Sequence, residues 1–510
     1  MKNLDLKGSW PLIRFIIPMY PELNIYSGTM ITSLGPISVA TSADKIMGLR
    51  VEVIDENIYT GPLDQDGFPD HAKLQEESPA SFIGIYCGLS STMDRVYKKI
   101  IPLYHEKGVV TIAGGRHTHY MAEEALDNNF DIVVHGNGEH AIYEILTTLI
   151  QGGSLNNIPG ISFREEEKTI NNPPSTLVIQ NLDDLPYPNF GLLKYAKKLE
   201  VYPLGIGQGC GHHCEFCSVN EPYHCASAEH VFNLLNWLVS TRKAKKFFIV
   251  DDRLEQNPKN LSHFLELVKE KYGDKLHFIA QVRMEIADNI KLMEAMRAAG
   301  VRTVPVGFES PIDEDLKSMN KGYTSKDMVR RALILKKYFD VHAMLIFGYP
   351  KVDGEQSKMS GKEMVRRFKW FIKASEFSTI QMMKPMPLVG SDLRIRLEAE
   401  GRIFPLKVVP WSKYDGNYVC FIPDNNLTSE ELQKLPIEIM SWFYNPLTWI
   451  KISVNALAFP VYCLIGKWKI WYSNFIDDLI KYGGSRLLKK WKRKQQINDF
   501  IHKLEIYVNR

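Results

Sequence analysis

Short apolar strands alternating with helix-compatible stretches run twice along this chain, and that rhythm leaves few folds open. Over residues 10–150 the strands read IRFIIPMY, VEVIDENI, SFIGIYCGLS, VVTIAGG and FDIVVHGNGE. Helix-compatible stretches lie between them at Ser38–Leu49, Met93–Lys107 and Met121–Asp127. This series predicts an α/β, doubly wound (Rossmann-like) parallel sheet with helices on both faces. Ligands of such sheets bind at the carboxyl ends of the strands. Two glycine loops fall there, AGGRHTHYMAEEAL after the fourth strand and HGNGEHAIYEIL after the fifth.

Residues 151–200 carry GG, PG, NNPP and PYPNF, a density of breakers that marks a linker with a short hairpin. The β/α rhythm resumes over 201–390, from VYPLGIGQG through KFFIVDD, LHFIAQVR, VRTVPVGFES and VHAMLIFGYP to STIQMMKPMP. Helices are expected at 257–271, 288–299, 325–337 and 361–375. Six strands with intervening helices predict an incomplete (β/α)6 barrel, whose chemistry belongs at the C-terminal strand ends. Residues 391–440 form a smaller mixed segment, and 441–510 a mostly helical, amphipathic and basic one.

The 510 residues are 45% hydrophobic and 24% charged, with a net charge of +3, which carries no whole-chain nucleic-acid signature. Seven cysteines are too few for a disulfide framework. The first residues lack a secretory pattern, so the expected compartment is a reducing cytoplasm in which thiols stay free to bind metal. Cys87, Cys420 and Cys463 read as buried structural thiols.

Cys210, Cys214 and Cys217 stand apart from those, in GCGHHCEFCS. Structural zinc uses four ligands, typically in separated C-x2-C pairs. Here the spacing is x3 then x2, and no second pair follows; Cys225 lies eight residues on. Neither His212 nor His213 completes a zinc spacing. The alternative is an iron–sulfur cluster held by thiolates, with one iron left without a protein ligand.

This spacing, with Phe216 before the last cysteine and the loop after a first barrel strand, resembles the radical S-adenosylmethionine (radical SAM) superfamily. The resemblance implies a 4Fe-4S cluster on Cys210, Cys214 and Cys217. It implies that S-adenosylmethionine chelates the open iron and yields a 5′-deoxyadenosyl radical that removes hydrogen from unactivated carbon. An electron donor such as ferredoxin or flavodoxin follows as a partner. Phe216 matches the position whose backbone meets the adenine.

The strand ends extend the resemblance. Asp251 and Asp252 match the region that meets the amino group of the methionine portion; a helix cap is the plainer reading. Gln281 and Arg283 share one face of a strand by period two. The arginine is suited to a carboxylate, or to an internal salt bridge. Glu309, in VGFESP, is similar to the GFES stretch of cobalamin-linked members, close to the bound nucleoside. Phe347 and Gly348, in LIFGYP, match the last signature, where the adenine approaches closely.

The first domain resembles the cobalamin-binding half of the same enzymes. Gly114, Gly115, His117 and Thr118 match its first loop, and Gly136, Gly138 and Glu139 its second. The sequence departs from the D-x-H-x-x-G motif: the nearest stretch, DENIYTG, has no histidine. Val389, Gly390 and Ser391 stand where relatives carry proline, glycine and threonine. Members sharing the pattern of WSKYDGNYVCFIP act on large, greasy substrates, among them hopanoid methylases.

In the tail, WIKISVNALAFPVYCLIG approaches the length of a span but contains Lys451, Asn455 and Pro460. It reads as an interfacial element, or as a cap packed on the barrel with one solvated face. Six basic residues between Arg486 and Lys494 suit anionic headgroups. The function expected from the whole is cobalamin-dependent C-methylation of an isoprenoid or lipid substrate. Radical coupling or cyclisation with cobalamin idle, and a non-catalytic cobalamin or metal sensor, are the alternatives. Tyr418 and Cys420 are candidates for a hydrogen donor.

Overall fold

The structure, a computed structural model, describes residues 10–21, 30–165, 168–174, 181–352, 359–494 and 497–508. Most of the amino-terminal stretch read for a secretory pattern, and parts of the linker, lie outside the described residues.

The first sheet holds β1 (Leu12–Ile17), β2 (Arg50–Asp55), β3 (Phe82–Tyr86), β4 (Val110–Gly114), β5 (Ile132–Val134), β6 (Ile161–Glu165) and β7 (Lys168–Asn171). Its order is β2-β1-β3-β4-β5-β6-β7. The first five strands are parallel, and β6 and β7 add on antiparallel, with Val133 opposite Ser162. An order that reverses at β1/β3 is the doubly wound kind, and sheets of that kind bind ligands at the carboxyl ends of the strands near the switch point. Strand β1 is buried along its whole length because helices cover both faces. Its one charge, Arg14, is saturated by Glu52 Oε1 at 2.6 Å, Gln75, Tyr104 and the carbonyls of Leu74 and Ser78.

The β6–β7 hairpin changes the reading of 151–200. The first half of that segment is an edge of the first sheet, with Ile161 and Phe163 buried in its core. The breakers seen in the sequence mark the hairpin's flanks.

The second sheet holds β8 (Tyr202–Leu204), β11 (Lys246–Ile249), β12 (His277–Ala280), β13 (Val301–Glu309), β14 (Asp340–Ile346) and β15 (Thr379–Met383), in sequential order and all parallel. The two-residue strands β9 (Gly207–Gln208) and β10 (His224–Cys225) pair antiparallel between β8 and β11. Right-handed crossovers without a reversal of order place the intervening helices on one face. Local chemistry sets the helix ends. Asn257 caps the helix Pro258–Tyr272, with Pro258 at its first turn. Ser360 and Glu363 form a reciprocal capping box on Gly361–Ser375. Phe247 stacks on Phe278 at 5.4 Å in the layer between sheet and helices.

Beyond β15 the chain is mostly helical. The helix Ser429–Phe443 is tied to the sheet edge by Tyr444, whose hydroxyl donates to the Ile380 carbonyl at 2.8 Å and accepts the Ile380 N–H at 2.9 Å. The last helix, Ile497–Val508, returns to the segment 391–440, with Phe500 edge-on to Tyr418 at 5.0 Å. Cys87 and Cys420 are buried as expected, but Cys463 is exposed. The reason is that its helix, Thr448–Leu464, packs on another helix and leaves its far side uncovered.

Candidate functional site

Strand β8 ends at Leu204, and the next turn launches the cysteine loop. Asp251, just past β11, fixes that turn: its two carboxylate oxygens accept the backbone N–H groups of Ile206 and Gly207 at 2.8 Å each. Burial pushes the Asp251 carboxyl up to about 7, and the two amide donors pull it back down. Asp251 is thus engaged in positioning the loop, rather than capping a helix or presenting free oxygens to a ligand. Its neighbour Asp252 is exposed as a residue; partial desolvation of its carboxylate raises its pKa, Arg116 offsets part of the rise and Glu221 adds to it.

The loop is held from several elements at once. Strands β9 and β10 pinch its base. Gly209 has φ +82°, and a Cβ there would meet the Pro222 carbonyl oxygen at 2.3 Å, so only glycine serves. The Gln256 side-chain oxygen accepts the Gly211 N–H, and its amide donates to the Gly209 carbonyl, both at 3.0 Å. Asn320 donates to the His213 carbonyl at 2.7 Å, and the Glu215 N–H to the Met319 carbonyl at 3.0 Å. Arg396 and the Tyr349 hydroxyl converge on the Glu215 carboxylate, each at 2.6 Å. Arg116, from the glycine loop after β4, donates to the Ser218 carbonyl and to Glu221 at 3.1 Å.

Cys210, Cys214 and Cys217 are all partly exposed within this frame. Burial pushes the Cys217 thiol up to about 11, against the Val219 N–H that donates to its Sγ at 3.4 Å, while the charges of Cys214 and Cys210 add to the rise. Burial also raises Cys214, partly offset by Lys321. Metal binding replaces the proton on such a thiol. Among the described residues no three His, Cys, Asp or Glu side chains converge on a single ion. Thiols that hold separate irons of one cluster need no such convergence. Three neighbouring thiols, an amide donor to one sulfur and a braced loop fit a cluster with one open corner.

The remaining predicted residues fall into two groups. Near the cysteines, Lys321 Nζ donates to Glu309 Oε1 at 3.0 Å and sits over the Phe216 ring at 5.6 Å. Burial draws Lys321 down, but Glu309, Tyr323 and Cys214 together outweigh it and the ammonium is held charged. Glu309 adopts φ +60°, an uncommon backbone for a non-glycine residue, and so turns its carboxylate to that lysine. Arg283 forms the internal salt bridge: it binds Glu285 at 2.5 Å, donates to the Lys321 carbonyl at 3.1 Å and lies over Tyr323 at 5.5 Å. Gln281 donates to the Asp252 carbonyl at 3.0 Å.

The last signature lies between the carboxyl-terminal segment and the cysteine loop. The Phe347 ring is fully buried against Phe368 at 5.3 Å. At Gly348 the space a Cβ would take is filled by Leu432 at 2.6 Å and Leu427 at 3.0 Å. On that side the close packing is with the carboxyl-terminal segment, while the next residue of the same turn, Tyr349, reaches the cysteine loop through Glu215 and Phe216.

In the first domain, Gly115 packs on the backbone of Cys87 and Gly88, and Gly138 on Val39. His117 is fully buried, its Nδ1 2.9 Å from Ser90 Oγ and its ring edge-on to Trp411 at 4.8 Å; burial holds it down at about 3. Thr118 is buried and donates to the Gly115 carbonyl at 3.3 Å. Burial raises the Glu139 carboxyl, offset in part by backbone and Ser38 hydrogen bonds. Of the four glycines in these two loops, Gly114 and Gly136 keep open space, with no atom within 4 Å of a Cβ built on either. That space suits a bulky ligand at the carboxyl edge of the sheet. Sequence reasoning missed Arg116, Glu215, Gln256, Asn320 and Lys321, whose partners lie far along the chain.

The radical SAM superfamily model matches residues 204–359. The chain is similar to an uncharacterized methyltransferase of Pyrococcus horikoshii, 26% identical over 445 residues, 85% of this chain and 93% of that one. It is 25% identical over 230 residues to the hopanoid C-2 methylase of Rhodopseudomonas palustris, covering 43% of this chain and 41% of the methylase. Its fold is shared with the radical S-adenosylmethionine methyltransferase TsrM from Kitasatospora setae, solved with cobalamin and a [4Fe-4S] cluster bound. The TM-score is 0.65 at 16% identity, over 85% of this chain and 88% of that one.

Proposed function

Given that this chain is a radical SAM enzyme, we propose that it methylates an unactivated carbon of a hydrophobic isoprenoid or lipid, with cobalamin as methyl carrier. The observation that carries the reading is Arg116. It places the glycine loop of the first sheet against the cysteine loop of the second, so ligands held by the two loops would be neighbours. When bound, the cluster with S-adenosylmethionine supplies a carbon-centred radical, and the corrinoid supplies a methyl group.

The chain's own residues do the rest. Cys210, Cys214 and Cys217 hold the cluster, and Asp251, Gln256 and Asn320 keep their loop in place. The exposed Asp252 is the free carboxylate for an ammonium group. Gly114 and Gly136 leave room for the corrinoid. No histidine stands in DENIYTG that would ligate cobalt. We read the sequential second sheet as an open six-stranded barrel over 201–390, with 391–440 on the substrate side. Hopanoid methylase relatives support the lipid class, and a ferredoxin or flavodoxin in a reducing cytoplasm would supply the electron.

Anaerobic reconstitution is expected to give about four irons per chain, and reduction to release 5′-deoxyadenosine from S-adenosylmethionine. Cys214→Ala should abolish both. Supplied cobalamin should stay bound through gel filtration; its failure to do so overturns the methylase reading and leaves radical coupling. Deleting the gene should remove one methyl group from a class of cellular lipid, read by mass spectrometry.

A further inference from the structure

The helix Thr448–Leu464 has two unlike faces. One packs on the helix Trp468–Lys494. There Asn455 donates to Asp478 at 2.8 Å, the Trp471 indole donates to the Asn455 carbonyl at 2.6 Å, and Phe459 packs on Trp471 at 4.4 Å. The other face carries Ile450, Val454, Leu457, Val461 and Leu464, at steps of four, three, four and three. That is a single helical stripe, about 21 Å long at the α-helical rise. All five are exposed, Leu457 by 83% and Leu464 by 86%, and Thr448 is the one buried residue of the helix. Soluble monomers rarely leave a contiguous apolar stripe uncovered.

We infer that this stripe lies in the interface of an anionic lipid bilayer. Charge identifies the occupant. Between residues 439 and 476 there is no Asp or Glu, while Lys451, Lys467 and Lys469 are present. Exposed Trp449, Trp468 and Tyr472 stand at the ends of the stripe, the amphipathic rings that settle at headgroup level. Arg486, Lys489, Lys490 and Arg493 follow on the next helix, all exposed. A second copy of the chain on this face would bring lysines against lysines, with no carboxylate to answer them. By length and composition the helical run Ser429–Leu464 could cross a membrane; Pro460 inside the helix and the polar Asn455–Asp478 contact on its inner side favour lying flat. This inference does not depend on the substrate proposed above.

The test uses the full-length protein with vesicles of phosphatidylcholine, with and without phosphatidylglycerol, and the double substitution Leu457→Glu, Leu464→Glu. The wild type should co-sediment with the anionic vesicles, more weakly at high salt. The variant should stay in the supernatant while keeping its thermal midpoint and S-adenosylmethionine cleavage. Tryptophan quenching by brominated lipid, measured on the wild type alone, should be strong and keeps the test valid if the variant misfolds. Wild type left in the supernatant and unquenched overturns the inference. So does a variant that sediments like wild type, or a wild-type dimer that the substitution splits in lipid-free buffer, which would make the face a self-association surface.

Discussion

Arg116 donates to both carboxylate oxygens of Glu221, at 3.1 Å each, across the boundary between the first sheet and the cysteine loop. The pair is largely solvent-exposed, 32% on the arginine side and 58% on the glutamate, so it adds at most about 1 kcal/mol to stability. Its consequence is local, because the same guanidinium also ties the Ser218 carbonyl, next to Cys217. Arg116→Gln should therefore shift the thermal midpoint little. It should accelerate iron loss from the reconstituted protein to a chelator several-fold. An unchanged rate would show that the other braces suffice.

Glu309 and Lys321 are both buried, and each is the other's ionic partner. Removing one partner of such a pair leaves an uncompensated charge, at a cost of about 3–5 kcal/mol. Glu309→Gln and Lys321→Met should each lower stability by that order in chemical denaturation. The double substitution should cost far less than the sum, since both charges are then gone. Additive losses would mean that the two side chains do not share one interaction.

Acid should destabilise the fold from mildly acidic pH downward. His342 on β14 is buried, with Nδ1 2.8 Å from Thr379 Oγ1 on β15, and burial lowers its pKa to about 4. Its unfolded value lies near 6.5. The folded state keeps the ring neutral while the unfolded chain takes up a proton. The stability it contributes is therefore complete above about pH 6.5 and lost as the pH falls toward 4, by about 3 kcal/mol. His342→Gln should flatten the dependence of the thermal midpoint on pH over that range. A variant curve as steep as wild type would assign the acid lability elsewhere.

The two β/α series were legible because parallel strands buried on both faces are continuous apolar runs, as in IRFII and KFFI. The cysteine loop was legible because its spacing is local. What escaped was long-range. Asp251 looks like a ligand in the sequence because its partners are backbone amides forty-odd residues earlier, which no side-chain pattern marks. Arg283, by contrast, makes the internal salt bridge that the sequence offered as one of its two readings, with Glu285 only two residues on. Gly348 faces Leu427 and Leu432, supplied by a segment about eighty residues away. The short hairpin expected in 151–200 is there, but that it joins the first sheet escaped, because only its first strand is buried.

Gly114 offers the sharpest separation of the first domain's ligand site from its fold. It ends β4, and a Cβ built there meets no protein atom within 4 Å. Its backbone is not in the left-handed region, so a side chain brings no strain, and a β-branched residue suits a strand end. Gly114→Val should thus leave the thermal midpoint and the iron content unchanged. The added isopropyl group would occupy the space assigned to the corrinoid, so cobalamin retained through gel filtration should fall at least several-fold. Gly115→Val is the contrast: its Cβ would meet the Cys87 carbonyl carbon at 2.6 Å, at φ +132°, and it should lower stability itself. Retention unaltered in Gly114→Val would place the corrinoid away from this strand end, whatever the cluster does.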